Sequence, residues 1–85
     1  MQLTVRYFAW VRERLGKSDE VVEVPDTVAT IEGLIVWLTA RGAEYEHAFA
    51  NPKLIRAAID QTHVKASASI AGAREVAFFP PVTGG

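Results

Sequence analysis

The sequence predicts an α+β fold in which one mixed sheet packs on a principal helix. Apolar residues make up 49% and charged residues 22% of the 85 residues, which is the composition of one small folded domain. Segments with the period of two that is typical of half-buried strands occur near both ends of the sequence. A single long amphipathic helix lies between them, and one sheet on one helix buries all these apolar faces.

The first quarter of the chain predicts strand, helix, strand. Leu3, Val5 and Tyr7 alternate with polar or outward residues, which indicates a strand with one buried face. Residues 9–15 are rich in helix formers and end at Gly16, a residue suited to the left-handed position after a helix. Residues 20–24 are β-branched and bounded by Pro25, so they predict a second strand beside the first.

The principal helix is predicted from one apolar face. Residues at i, i+3, i+4 and i+7 form it: Ile31, Leu34, Ile35 and Leu38. Thr27 is the predicted cap, and Arg41 with Gly42 marks the end.

The remaining elements are short. Residues 44–50 predict a helical turn that Asn51 and Pro52 end, followed by a strand over 54–59. Asp60 and Gln61 form the predicted turn into a short strand at 62–65. A loop over 66–74 then leads to the last strand, 75–79. The globular domain is therefore predicted to span 1–79 and an extended tail 80–85.

Two phenylalanines are the candidate partner-binding residues. Adjacent residues of a strand point to opposite faces, so if Phe78 enters the core with Val76, then Phe79 lies outside. Phe8 lies outside the first strand by the same parity. An exposed aromatic pair is a good docking surface, although a loop of the same chain could equally cover both rings.

The tail is the candidate reactive segment. Pro80 and Pro81 fix φ and lack amide donors, so they end the strand and start an extended direction. The residues that follow would enter a partner's active site: Val82, Thr83, Gly84 and Gly85. Six residues reach roughly 20 Å, and the two glycines would not obstruct a narrow channel. We predict that the terminal carboxylate of Gly85 is the working group, the alternative being an inert frayed end.

Composition argues against several other functions. The net charge is −1 with no basic stripe, so we expect no nucleic-acid partner. There is no cysteine, and His47 and His63 lack the spacing of metal ligands, so we expect no metal site. No phosphate-binding loop occurs, so we expect no bound cofactor. The acidic residues around the second strand predict a solvated surface: Asp19, Glu20, Glu23 and Asp26. Without a signal peptide or a long apolar stretch, we expect a cytoplasmic protein that does not contact membranes.

Three segments together resemble the small subunit of molybdopterin synthase. These are residues 7–13 (YFAWVRE), residues 58–62 (AIDQT) and residues 74–85 (REVAFFPPVTGG). The resemblance covers the whole chain and implies the ubiquitin-like β-grasp fold. Ala73 and Arg74 depart from it, because that family usually carries Gly-Asp before the last strand, and this leaves the geometry of that turn open.

The resemblance also implies a chemistry. An adenylating partner enzyme would use ATP to convert Gly85 to an acyl-adenylate, and a sulfur-donating enzyme would then supply the sulfur of a thiocarboxylate. The large synthase subunit, in a heterotetramer with this chain, would provide the catalytic side chains. Sulfur would pass to cyclic pyranopterin monophosphate in molybdenum cofactor biosynthesis. The chain would thus be the non-catalytic, sulfur-donating subunit of a heteromeric sulfurtransferase.

Three alternatives stay open from the sequence. A sulfur carrier for thiamin or amino-acid synthesis would have the same tip. A ubiquitin-like modifier would join Gly85 to lysines of other proteins. A plain interaction domain would have a dispensable tail.

Overall fold

A computed structural model describes residues 1–81, and the predicted tail residues Val82, Thr83, Gly84 and Gly85 lie outside them. Five strands and three helices follow one another along the chain. They are β1 (Gln2–Tyr7), α1 (Ala9–Leu15), β2 (Asp19–Glu23), α2 (Ile31–Thr39), α3 (Ala43–Ala48), β3 (Arg56–Ile59), β4 (Thr62–Val64) and β5 (Glu75–Phe79). The predicted α+β class, with one mixed sheet on a principal helix, is confirmed.

The strands form one sheet in the order β2-β1-β5-β3-β4. β5 lies in the centre, parallel to β1 and antiparallel to β3. The outer pairs, β1 with β2 and β3 with β4, are antiparallel. The last strand of the chain is thus held by hydrogen bonds on both sides, so the point where it ends has a fixed position relative to the domain.

The helices cover one face of the sheet, which we call the inner face. Leu3, Val5 and Tyr7 of β1 point into the core from it, as do Val76 and Phe78 of β5, all at most 1% exposed. The predicted apolar face of α2 is also buried, at 0 to 6% exposure. The alternation of residues along β1 and β5 therefore predicted correctly which side chains of both strands point into the core.

The cap of α2 differs from the prediction. Thr30, not Thr27, precedes the first helical residue, and its side-chain oxygen accepts a hydrogen bond from the Gly33 amide at 3.1 Å. Thr30 forms an isolated bridge with Ser69, and the Ile31 amide donates to the Ala68 carbonyl at 3.0 Å. This pairing with a distant loop keeps the chain extended through Thr30, so the helix begins one turn later.

Other boundaries shift by one or two residues. β2 begins at Asp19, and Val24 lies beyond its end but stays buried. The start of the predicted third strand is instead a short 3-10 turn at Pro52–Leu54, because proline begins such a turn easily but cannot donate to a ladder. The predicted loop over 66–74 contains no helix or strand and buries Ile70.

The turn before β5 is held by hydrogen bonds to Asp60, which lies in a different turn. Gly72 takes the left-handed conformation at φ 76°. The Arg74 and Glu75 amides both donate to Oδ1 of Asp60, at 3.1 and 2.9 Å. Asp60 lies in the predicted turn between β3 and β4, where its φ is 47°. Although Ala73 and Arg74 replace the Gly-Asp pair usual in the similar family, the start of β5 is therefore held by two hydrogen bonds.

Candidate functional site

The candidate site is the end of β5 and the sheet face that no helix covers, which we call the outer face. β5 ends at Phe79, and Pro80 and Pro81 follow it, both half-buried. Because β5 is paired with β1 and β3 up to Phe78 and Phe79, the origin of the tail is fixed to the domain. We call this point the tail root. Any group carried further along the chain would start from it.

Phe8 and Phe79 flank the tail root. Tyr7 lies opposite Phe78 in the parallel pairing, and the Phe8 amide donates to the Phe78 carbonyl at 3.0 Å. Phe8 and Phe79 are therefore the next residues on two neighbouring strands, and both point away from the core. The Phe8 side chain is 38% exposed, whereas Phe79 is half-buried. The arrangement places both predicted docking residues side by side, while their role in binding stays a prediction.

The His63 ring packs against Phe79 on the outer face. The two rings lie 5.1 Å apart, centre to centre, although β3 separates their strands. Two strand spacings amount to roughly 9.6 Å, so the His63 ring must lean across β3 to reach Phe79. The residue it crosses is Ala58, its partner in the β3–β4 register, whose small side chain leaves room for the ring.

Two small apolar side chains lie near the Phe79 and His63 rings. Ala58 and Ala77 are opposite each other on β3 and β5 and face outward, yet they are only 6 and 8% exposed. Larger neighbouring side chains therefore cover most of their surface. Phe8 and Phe79, which we call together the aromatic ridge, thus lie next to small apolar side chains on the outer face, and a partner's apolar side chain can pack on such a surface.

A partly buried polar network on the helix-covered side of the sheet was not predicted from the sequence. Glu20 was expected in a solvated acidic patch, but its side chain is only 14% exposed. Its Oε2 accepts hydrogen bonds from the hydroxyls of Tyr45 at 2.6 Å and Tyr7 at 2.7 Å. Lys17 and Arg41 lie 3.5 and 3.6 Å from its Oε1. The signal was present, since Glu20 shares its strand parity with buried Val22 and Val24.

The titration of this network follows from its contacts. Burial opposes ionisation of Glu20, but the hydrogen bonds from Tyr45 and Tyr7 and the charges of Lys17 and Arg41 leave its pKa lowered. Burial, together with the bond to Glu20, raises the pKa of Tyr7. The hydrogen bond to Tyr45 raises the pKa of Lys17. The network is fully partnered and therefore has the character of a structural tie between β1, β2 and α3.

Two negative findings apply to residues 1–81. No group of three histidine, aspartate or glutamate side chains is placed to hold a metal ion. No helix in this part of the chain has the length and apolarity needed to cross a membrane. The tail residues predicted to carry the chemistry, including Gly85, lie outside it.

The solved structures that resemble this fold are small β-grasp proteins. SAMP1 from Haloferax volcanii aligns over 100% of both chains with a TM-score of 0.72 and 23% identity. A structure titled putative molybdopterin converting factor, subunit 1, from Pyrococcus furiosus covers 96% of this chain and 99% of its own, with a TM-score of 0.71 and 23% identity. At such identity these structures show the fold, and they confirm the ubiquitin-like β-grasp.

Sequence comparison identifies the family. Two relatives are named molybdopterin synthase sulfur carrier subunit. The one from Haemophilus influenzae is 36% identical over 83 residues, and the one from Escherichia coli is 39% identical over 83 residues. Each alignment covers 98% of this chain and 99% of the relative. The ThiS family matches residues 5–85. This match covers almost the whole chain, and the chain therefore belongs to the ThiS family.

Proposed function

We propose that this chain is the sulfur-carrier subunit of molybdopterin synthase and that Gly85 carries the sulfur as a C-terminal thiocarboxylate. The observation that carries the proposal is the full-length similarity to two relatives of that name. The sequence supports it independently, since Pro80 and Pro81 lead from a central strand into Val82, Thr83, Gly84 and Gly85.

The chemistry needs two steps before transfer. A free carboxylate is a poor electrophile, so an activating enzyme joins the Gly85 carboxylate to the AMP part of ATP and releases pyrophosphate. A persulfide on a sulfur-donating enzyme then attacks the acyl carbon and displaces AMP. A thiol cleaves the acyl disulfide so formed, which releases the Gly85 thiocarboxylate and leaves the donor sulfur in a disulfide. ATP is consumed by the partner and no cofactor is bound to this chain.

Transfer then takes place in a partner's active site. The thiocarboxylate sulfur is a strong, unhindered nucleophile because glycine has no side chain. Two such sulfurs are delivered to cyclic pyranopterin monophosphate, each leaving a Gly85 carboxylate on a carrier. The large synthase subunit supplies the catalytic side chains, which makes this chain a cosubstrate rather than a complete enzyme.

Docking fits the geometry of the tail root. Phe8 and Phe79 flank the point where the tail leaves the domain, so a partner that covers these rings also receives the tail. A stretch of up to roughly 20 Å beyond Phe79 lets the domain stay outside while Gly85 reaches the reacting atoms. The same face would serve the activating enzyme in turn. We place these steps in the cytoplasm, where ATP is available.

Intact-mass analysis tests the proposal. The chain should be produced together with its activating and sulfur-donating enzymes, and the C-terminal fragment should show one oxygen replaced by sulfur. A chain that lacks Gly85, or that carries one extra residue after it, should lose sulfur transfer while its thermal unfolding stays unchanged. Persistent absence of the sulfur-containing species would overturn the proposal, and adducts to lysines of other proteins through Gly85 would favour a modifier instead.

A further inference from the structure

The fold concentrates positive charge on one side of the tail root. Arg56 begins β3 and Lys65 follows the end of β4, and we call these two residues the basic corner. Both side chains are exposed. Arg56 is the register partner of Phe79, so the basic corner adjoins the aromatic ridge directly.

No carboxylate neutralises the basic corner within residues 1–81. Each ion pair found there has Arg6, Lys17, Arg41 or the terminal amine as its cation, and none involves the basic corner. Two open concavities of about 550 and 330 Å³ adjoin it, and their described lining residues include no aspartate or glutamate. Arg56 is oriented by one hydrogen bond, from Nη1 to the Lys53 carbonyl at 3.0 Å, and its other donors point to no protein acceptor among these residues.

Glu32 and Glu46 line a concavity with Lys53 on the helix side of residues 1–81, but they form no ion pair with the basic corner. The acidic side chains along the sheet lie elsewhere. Asp19 and Glu23 belong to β2 at the opposite edge of the sheet, and Glu75 and Asp60 lie at the end of the sheet where β5 begins. Arg6, on the β1 side of the tail root, is already paired with Glu75 at 3.8 Å. Within residues 1–81, a chain of net charge −1 therefore presents an unpaired cationic surface beside Phe79.

We infer that the partner surface opposite the basic corner carries carboxylates, set beside the apolar pocket that receives Phe79. This rests on the proposed function and adds the chemistry and the orientation of docking. The apolar contact would supply affinity, whereas the cation–carboxylate contact would steer the encounter, so that the partner's active-site entrance meets the tail root in one orientation. The partner is a protein, because the corner lies on the same continuous face as the aromatic ridge.

The test is the association rate with the large subunit of molybdopterin synthase from the same organism. Arg56→Glu and Lys65→Glu reverse a charge in the basic corner. Arg74→Glu makes the same change in net charge at the far end of β5, where the Arg74 side chain is exposed and makes no ion pair in the described chain. Rates should be measured by stopped flow or surface plasmon resonance from low to high ionic strength, after thermal unfolding has verified that each variant is folded.

We expect the association rate of wild type to fall with ionic strength. Arg56→Glu and Lys65→Glu should each slow association at least about fivefold at low salt, with convergence toward wild type at high salt. Arg74→Glu should stay within about twofold of wild type. Equal effects of all three variants, or none, would overturn the acidic-partner inference while leaving the proposed function intact. If Arg56→Glu and Lys65→Glu instead alter self-association of the isolated chain, a second copy of this chain binds the basic corner and the inference is wrong. Failure of wild type to bind the large subunit would overturn the proposed function and this inference with it.

Discussion

The Phe8 amide donates a 3.0 Å hydrogen bond to the Phe78 carbonyl, and this one bond ties the end of β1 to the end of the strand that leads into the tail. It sets Phe8 beside Phe79 on the outer face, because each follows a residue of the Tyr7–Phe78 register pair. The aromatic ridge and the tail root are therefore parts of one rigid unit. A partner that binds the ridge fixes where the tail begins.

Truncating the ridge should weaken docking more than folding. Phe79→Ala and Phe8→Ala remove exposed or half-buried rings, so each should reduce affinity for the large subunit by at least about tenfold, which is about 1.4 kcal/mol. Loss of thermal stability should be small. Titration calorimetry for binding and thermal unfolding for stability make the comparison.

Val36→Ala is the matched control for the ridge. Val36 is 66% exposed on α2, on the side of the molecule away from the outer face, so its truncation should leave the affinity unchanged. If Val36→Ala weakens the complex as much as Phe79→Ala does, the docking face has been placed on the wrong side of the domain.

Removing the carboxylate of Glu20 should change the acid stability of the protein. The folded-state pKa of Glu20 lies below the ordinary glutamate value of 4.5, so its ionised form stabilises the fold. That contribution is complete above the unfolded-state pKa and is lost as pH falls through the lowered folded-state pKa. Glu20→Gln should therefore be less stable than wild type by about 1 to 3 kcal/mol at neutral pH.

The difference in the free energy of unfolding between wild type and Glu20→Gln should shrink as the pH falls below the ordinary glutamate pKa of 4.5. Urea denaturation from neutral pH to acid checks it. A constant difference across this range would show that the variant acts through shape alone. Glu23→Gln is the control on the same strand, because the Glu23 side chain is 78% exposed and should contribute little.

The helix cap allows a direct comparison of two threonines. Thr30→Ala removes the acceptor for the Gly33 amide, so it should lower the free energy of unfolding by about 1 kcal/mol. Thr27→Ala should have almost no effect, since Thr27 is exposed and lies three residues before the cap. Chemical denaturation of both variants decides the matter, and a larger loss for Thr27→Ala would contradict the observed start of α2.

The helices and strands that depend on neighbouring residues alone could be predicted from the sequence. β5 and α1 were predicted residue by residue, because the alternation of Val76 and Phe78 and the position of Gly16 depend only on neighbouring residues. The predicted cap of α2 was wrong because Thr27 and Thr30 are both suitable capping residues when only their neighbours in sequence are considered. The choice depends on a bridge to Ser69, which is distant in sequence.

The charge arrangement could not be predicted from the order of residues. Acidic and basic side chains are mixed along the chain, and only the pairing of β3 with β5 brings Arg56 beside Phe79. The contacts of Glu20 could not be predicted for the same reason, since its two hydroxyl partners come from β1 and α3. The extended tail and its chemistry were predicted from the sequence alone, and both stay predictions because residues 82–85 lie outside the described chain.

Asp60 should matter for the strand that carries the tail. Its Oδ1 accepts two amide hydrogen bonds at the start of β5, and its own φ of 47° suits aspartate or asparagine better than alanine. Asp60→Ala loses both the acceptor and this preference, so it should lower the free energy of unfolding by about 1 to 2 kcal/mol. Asp60→Asn keeps an acceptor oxygen and should lose less than half of that. Hydrogen exchange should locate the effect, with faster exchange of the Arg74 and Glu75 amides and unchanged protection at Phe78. Equal losses for both variants would mean that the carboxylate charge, rather than the two hydrogen bonds, holds the start of β5.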